Sequence, residues 1–284
     1  MIIRSKSFCR SLPILALLLA LSGLFTATAG ALEILPLGDS ITYGFLSFSD
    51  PGSDGYRAQL YSDLGGNVTF VGSQTDGDLP APDNANEGHN GYLIEGITND
   101  LTGVSTDYRS TSNNGGHWLD GGNGTGRSAI NPDVVLLNIG TNNATDGDSA
   151  VTMEDYLTQL LTALKTDLPN AKVMVGSLTP RVDSAGDEAV EEQYNAAMPA
   201  IVAAEGSNFY FVDIHDAVSA SNINVNDGVG GQHPDAAGYA QMGNAWYSAM
   251  VADGIVTVPE PSTYALYGLG FLGLLGCRRF RRAG

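Results

Sequence analysis

Cysteine is nearly absent: the 284 residues contain two, Cys9 and Cys277, one near each end. A domain lying between them has no disulfide framework and no thiol chemistry, even in a compartment that permits disulfides. Basic residues are scarce too, 13 Lys and Arg against 31 Asp and Glu. Seven of the 13 sit in the terminal segments, leaving residues 32–258 with 30 acids and 6 bases, a formal charge near −24. That balance makes nucleic acid and anionic lipid surfaces poor partners. A neutral polymer outside the cell suits it better, although acidity also simply keeps an exported protein soluble.

The ends explain where the missing bases went. Arg4, Lys6 and Arg10 precede the apolar run "LPILALLLALSGLF", and "ATAGA" offers cleavage after Ala29 or Ala31, the grammar of a secretory signal over residues 1–31. The run is shorter than the ~20 residues a spanning helix needs. Residues 259–284 read "PEPST", then "YALYGLGFLGLLGC", then "RRFRR", a short transmembrane candidate whose Arg278, Arg279, Arg281 and Arg282 would stay cytoplasmic. Pro259-Glu260-Pro261, the apolar stretch and the arginines together resemble a PEP-CTERM sorting signal. The resemblance implies a Gram-negative-type bacterium, export, and removal of the tail by an exosortase.

In the body, 32–258, four apolar runs have the continuous character of strands buried on both faces, at 32–37, 134–140, 172–178 and 209–214, with 68–72 a fifth. Helical patterns alternate with them. One follows Asp54 as cap and stops at Gly65; one starts at Thr152 and Asp155 in capping-box spacing and ends before Pro169. A third covers 187–206, and a fourth has Pro234 in its first turn. The alternation predicts an α/β fold, a parallel sheet of about five strands with helices on both faces. The glycine-rich stretch 103–131 is too long for a simple connection.

Ligands of such sheets bind beyond the carboxyl ends of the strands. Ser40 follows the first strand in "LPLGDSITYG", Asn142 follows the strand at 134–140, Gly91 lies in the loop "EGHNGY", and His233 stands ahead of the last helix in "GQHPDAAGY". Ester cleavage needs a nucleophile, a base and donors for the oxyanion, and these four segments can supply them. Each segment alone is an ordinary turn or element start.

In this order the blocks "GDSIT", "EGHNGY", "GTNN" and "HPDAAGY" resemble the SGNH (GDSL-type) hydrolase family. The longer run through "LPLGDSITYG", "DGYRAQLYSDLGGNVTFVGSQTDG" and "NEGHNGYLIEGI" looks like its branch of carbohydrate esterases that includes acetylxylan esterases. The resemblance implies a flavodoxin-like three-layer α/β/α fold, serine ester hydrolysis without a cofactor, and an acetylated polysaccharide as substrate. It makes Ser40 the nucleophile, His233 the base, and the Ser40 and Gly91 N–H groups with the Asn142 amide the oxyanion hole. His233, before a proline at a helix start, is biased toward a neutral imidazole.

One position departs from the family. The acid expected three residues before the histidine is replaced by Gly230. Either Asp227, six residues upstream, folds back onto His233, or a carbonyl orients the ring in a Ser-His dyad; Asp235 is a weaker candidate. Asn143 stands where the family often has aspartate. His89 beside Glu87 reads as a brace for the Gly91 loop, His215 as structural, and His117 with Trp118 as packing or a sugar platform in equal measure. No loop matches a calcium spacing, and no metal is expected. A lipase of the same fold would need an exposed apolar patch near Ser40, whereas these segments are polar and glycine-rich. A non-catalytic glycan-binding surface protein is the third reading, supported by the displaced acid.

Overall fold

The computed structural model describes residues 31–50, 52–102, 119 and 130–257. The first element of the described residues is β1 (Leu32–Gly38), whose last five residues are all buried. It leads through the one-turn helix α1 (Ser40–Tyr43) and α2 (Tyr56–Asp63) to three short strands, β2 (Val68–Phe70), β3 (Gln74–Thr75) and β4 (Ala85–Gly88). Then come α3 (Ile94–Thr102), β5 (Val134–Asn138), α4 (Thr141–Asp146), α5 (Ala150–Asp167), β6 (Lys172–Gly176), α6 (Ala185–Glu205) and β7 (Phe209–Val212). A short α7 (Ile214–Ala217), a 3-10 turn (Ala220–Asn222) and α8 (Ala236–Ala252) complete it.

All five expected strands are present. β1 is central: β5, β6 and β7 follow in parallel on one edge, and the other edge is shared by β2, against Leu32–Ile34, and β4, against Leu37 and Gly38. β3 pairs antiparallel with β4, outside the apolar pattern because "ANEG" carries no apolar run. The pleat sends alternate side chains to opposite faces. Leu35, Leu37, Val135 and Val173 meet α3, α5 and α6 through Ile97, Leu157 and Met198, while Ile34, Val134, Leu136 and Met174 meet α2 and α8 through Leu60, Met242 and Trp246. Burying each such side chain contributes ~1.5–3 kcal/mol. Gly243 lets α8 lie against α2, since a Cβ there would sit 2.7 Å from the Tyr56 carbonyl oxygen.

Helix starts differ from the sequence expectation where another residue caps or the expected cap is engaged elsewhere. Ser149, not Thr152, caps α5, accepting from the Thr152 N–H at 3.2 Å. Asp54 does not cap α2; its carboxylate accepts from the N–H groups of Asp78 and Leu79. Pro234 precedes α8, which Asp235 caps through the N–H groups of Ala237 and Gly238. Among the described residues no helix is long and apolar enough to cross a membrane. The apolar segments of both ends, His117 and Trp118 lie outside the described residues.

Candidate active site

The register of β1 with its neighbours sets three strand ends side by side, Gly38 opposite both Gly88 and Asn138. Only glycine fits at position 38, because a Cβ would collide with the Asn138 carbonyl. The chain then turns sharply. Asp39 caps α1 by accepting from the Ile41 N–H at 2.9 Å, Ser40 is its first residue, and Gly44, at φ +93°, ends it. Ser40 is thereby held at the sheet's carboxyl edge, buried except for a small opening.

His233 arrives from the α8 side. Its Nε2 lies 2.8 Å from Ser40 Oγ, and its Nδ1 lies 2.9 Å from Oδ2 of Asp227. The Asp227 carboxylate, rather than a carbonyl, thus faces the ring. Its Oδ1 accepts the backbone N–H groups of Val229, Gly230 and Gly231, and its Oδ2 those of Gln232 and His233. The turn wraps around the carboxylate because Gly228, Gly230 and Gly231 adopt φ of +98°, +102° and +120°, left-handed conformations that side-chain-bearing residues avoid. Burial pushes the Asp227 carboxyl up, but the hydrogen bonds from Gln232, His233, Val229 and Gly230 prevail and hold it at about 2. An ionised Asp227 only accepts, so Nδ1 of the neutral ring carries the hydrogen and Nε2 presents its lone pair to the Ser40 hydroxyl. Burial lowers the His233 pKa, and the Asp227 charge only partly offsets this.

The other two strand ends bring Gly91 and Asn142. Asn142, in the first turn of α4, donates Nδ2–H to the Tyr92 carbonyl at 2.9 Å, which fixes the amide and leaves its second hydrogen for a ligand. Gly91 has φ +79°, and a Cβ there would point into open space. The loop is braced as its sequence suggests: His89 Nε2 lies 2.8 Å from Glu87, whose carboxylate accepts from the N–H and hydroxyl of Ser73, and the His89 ring stacks on Tyr92.

Three residues of the surroundings have roles that the sequence does not display. Asn143 accepts from the Ile94 N–H and donates to Glu95 and Asp148, so it pins the start of α3 to the β5 exit; an aspartate there could not donate to two carboxylates. Asp39 is fully buried. Arg181, also buried, is held by Asp183, Asp187 and Glu191, and Asp183 in turn accepts from Gln232, the neighbour of His233. A lone base within the acidic "TPRVDSAGDEAVEE" was its only sequence signal. His215 packs with Nδ1 against the Leu178 carbonyl and Asn195. With Glu188 and Glu192 it forms the one grouping among the described residues with metal-ligand spacing. Glu188 already accepts from the Arg181 N–H there.

A strand-end serine hydrogen-bonded to a buried histidine, itself held by an ionised carboxylate, can perform nucleophilic acyl transfer. Comparison with known proteins agrees. Residues 37–241 match the GDSL-like Lipase/Acylhydrolase family, and 257–282 match the PEP-CTERM protein-sorting motif. A multidomain esterase of Ruminococcus flavefaciens is 32% identical over 241 residues, 78% of this chain but 28% of that protein, so the chain spans little more than a quarter of that relative. The family 3 carbohydrate esterase of Clostridium thermocellum superposes with a TM-score of 0.58 at 28% identity, over 78% of this chain and 96% of that one. A family 3 carbohydrate esterase of Talaromyces cellulolyticus shares the fold with a TM-score of 0.59 at 20% identity, over 80% and 100% of the two chains. The chain belongs to the GDSL-type (SGNH) lipase/acylhydrolase family.

Proposed function

We propose that this protein is an exported serine esterase that removes O-acyl groups, foremost O-acetyl, from a polysaccharide. The observation that carries the reading is the unbroken chain from Ser40 Oγ through His233 to Asp227, with contacts of 2.8 and 2.9 Å. Ser40 Oγ attacks the ester carbonyl as His233 Nε2 takes its proton. The oxyanion is received by the N–H groups of Ser40 and Gly91 and the Asn142 amide. On collapse the C–O bond to the sugar breaks, and His233 returns the proton to that alkoxide oxygen. Water then repeats the sequence on the acyl-serine, releasing acetate and restoring Ser40. Asp227 keeps the imidazole in the tautomer both halves need.

Residues 1–31 serve as the signal peptide and 259–284 as the exosortase substrate, leaving the 32–258 domain at the cell envelope or in the extracellular matrix of a Gram-negative-type bacterium. The C-terminal sorting-motif match supports this placement. The test is acetate release from an aryl acetate and from acetylated xylan, with Ser40→Ala as control. Release that disappears in the variant is expected; folded protein that releases nothing from either ester would leave the non-catalytic glycan-binding reading.

One observation favours a second reading, a lipase-type acylhydrolase. Contrary to the polar character expected from the sequence, Phe48, Val182, Val225 and Val229 are exposed around the Asp227 turn. A chain-length series of esters separates the two, since a preference for long acyl chains would select the lipase.

A further inference from the structure

Five large apolar side chains are exposed among the described residues, and four of them, Phe48, Val182, Val225 and Val229, belong to the segments packed around the Asp227–His233 turn. Phe48 is 72% exposed and Val225 61%. The Phe48 ring lies where a Cβ of Gly228 would be, and Val182 lies where a Cβ of Gly231 would be. Inward, Phe48 meets Phe45 edge-on with ring centroids 5.5 Å apart, and Phe45 lies 4.7 Å from the His233 ring. Two ring contacts therefore connect the exposed phenyl to the base. Exposed apolar side chains gathered on one turn are a feature of contact sites.

We propose that this collar, through Phe48, is a platform for a sugar ring on the leaving-alcohol side of the ester; the inference rests on the polysaccharide esterase reading. The fold decides the side. Tyr92, beside Gly91, and Ala144, on the helix carrying Asn142, pack into the sheet face covered by α3, α5 and α6, whereas α8, which follows His233, lies on the opposite face. An ester bound between them turns its carbonyl oxygen toward the Asn142 side. Its alkoxide oxygen turns toward Nε2 of His233, from which it must take its proton. Groups just outside His233 thus meet the alcohol, and the acyl substituent points elsewhere. A pyranose suits this surface, because its C–H face can cover a phenyl ring while its hydroxyls remain in water. An anionic alcohol such as a phospholipid headgroup does not. Arg181 beside the collar is buried and already engaged by three carboxylates.

The experiment compares kcat/KM on acetylated xylo-oligosaccharides with that on ethyl acetate, whose alcohol is too small to reach Phe48. Phe48→Leu keeps an apolar cover over Gly228 without a ring face, and Phe48→Trp enlarges the face. The ratio of the two kcat/KM values is expected to fall about tenfold in Phe48→Leu, chiefly through KM on the oligosaccharide, and to be retained or raised in Phe48→Trp. Equal losses on both esters would overturn the proposal by making Phe48 a support for Phe45 and His233. A loss confined to long-chain acyl esters would overturn it in favour of an acyl platform. Wild-type protein active on both substrates, with Phe48→Leu unchanged in ratio, overturns the platform alone. Wild-type protein active on ethyl acetate but inert on every acetylated glycan overturns the polysaccharide reading and the platform with it.

Discussion

Asp227 lies six residues ahead of His233, yet its Oδ2 is 2.9 Å from Nδ1 of that ring and 3.1 Å from the backbone nitrogen of the same residue. The longer spacing is compensated by the turn, which spends three glycines at positive φ to close five N–H groups around one carboxylate. Asp227→Asn is therefore expected to lose about 10³- to 10⁴-fold in kcat. It should also unfold at a lower temperature, because the amide's NH2 would face N–H groups the carboxylate accepts. A loss of only a few-fold in kcat on an aryl acetate would show that the ring is oriented without Asp227.

The pH profile follows from the direction of the His233 shift. Burial lowers its pKa below the ordinary 6.5, so the neutral base persists into mildly acid solution. The acid limb of kcat/KM, which reports the free enzyme, should have its midpoint below 6.5, with activity rising as pH rises through it. In Asp227→Asn the residual activity should have its midpoint lower still, since the carboxylate contributes in the raising direction. A wild-type midpoint above 6.5 would contradict the burial argument.

Asn142→Ala should reduce kcat by roughly 10²- to 10³-fold with little change in KM, the signature of a donor used only when the oxyanion forms. The hydrogen bond to the Tyr92 carbonyl fixes the amide in advance, so the donor needs no reorganisation. A rise in KM with kcat preserved would place Asn142 in ground-state binding instead. Steady-state kinetics on an aryl acetate separates the two.

The sequence made the sheet legible because strands buried on both faces carry unbroken apolar runs, as "VVLLNIG" does. It hid β3 and β4, which are short and carry no apolar run: β4 is held by the edge of β1, and β3 by β4. Ser40 and His233 stood out because one follows the first strand and the other precedes the last helix, each within a short block that resembles a known family. The collar was invisible for the opposite reason: Phe48, Val182, Val225 and Val229 are scattered over 182 positions in otherwise polar segments, and only the fold gathers them. The role of Asn143 was hidden similarly, since Ile94 and Glu95 come from another element; Arg181 was hidden among nearby acids, with nothing in the sequence to show that its guanidinium is buried between them.

Asp39 offers a test of stability rather than rate. It is fully buried, its Oδ1 accepts from Ile41, and its Oδ2 has no hydrogen-bond partner among the described residues. Burial pushes its pKa up to about 7, against the lowering effect of the Ile41 and Gly140 N–H groups. In the unfolded chain the carboxyl titrates near 3.9. From about pH 4 to about pH 7 the folded state therefore holds a proton the unfolded state has lost, and stability falls as pH rises through that window. Asp39→Asn keeps an acceptor for Ile41 and cannot ionise. Its absolute stability depends on how the amide NH2 is accommodated, so the quantity to measure is the slope. Urea unfolding of both proteins at about pH 4 and at about pH 8 should show the difference moving toward the variant as pH rises, by up to ~4 kcal/mol at 1.36 kcal/mol per pH unit. Parallel pH dependences would mean that Asp39 stays ionised in the folded protein, with a donor for Oδ2 supplied by water.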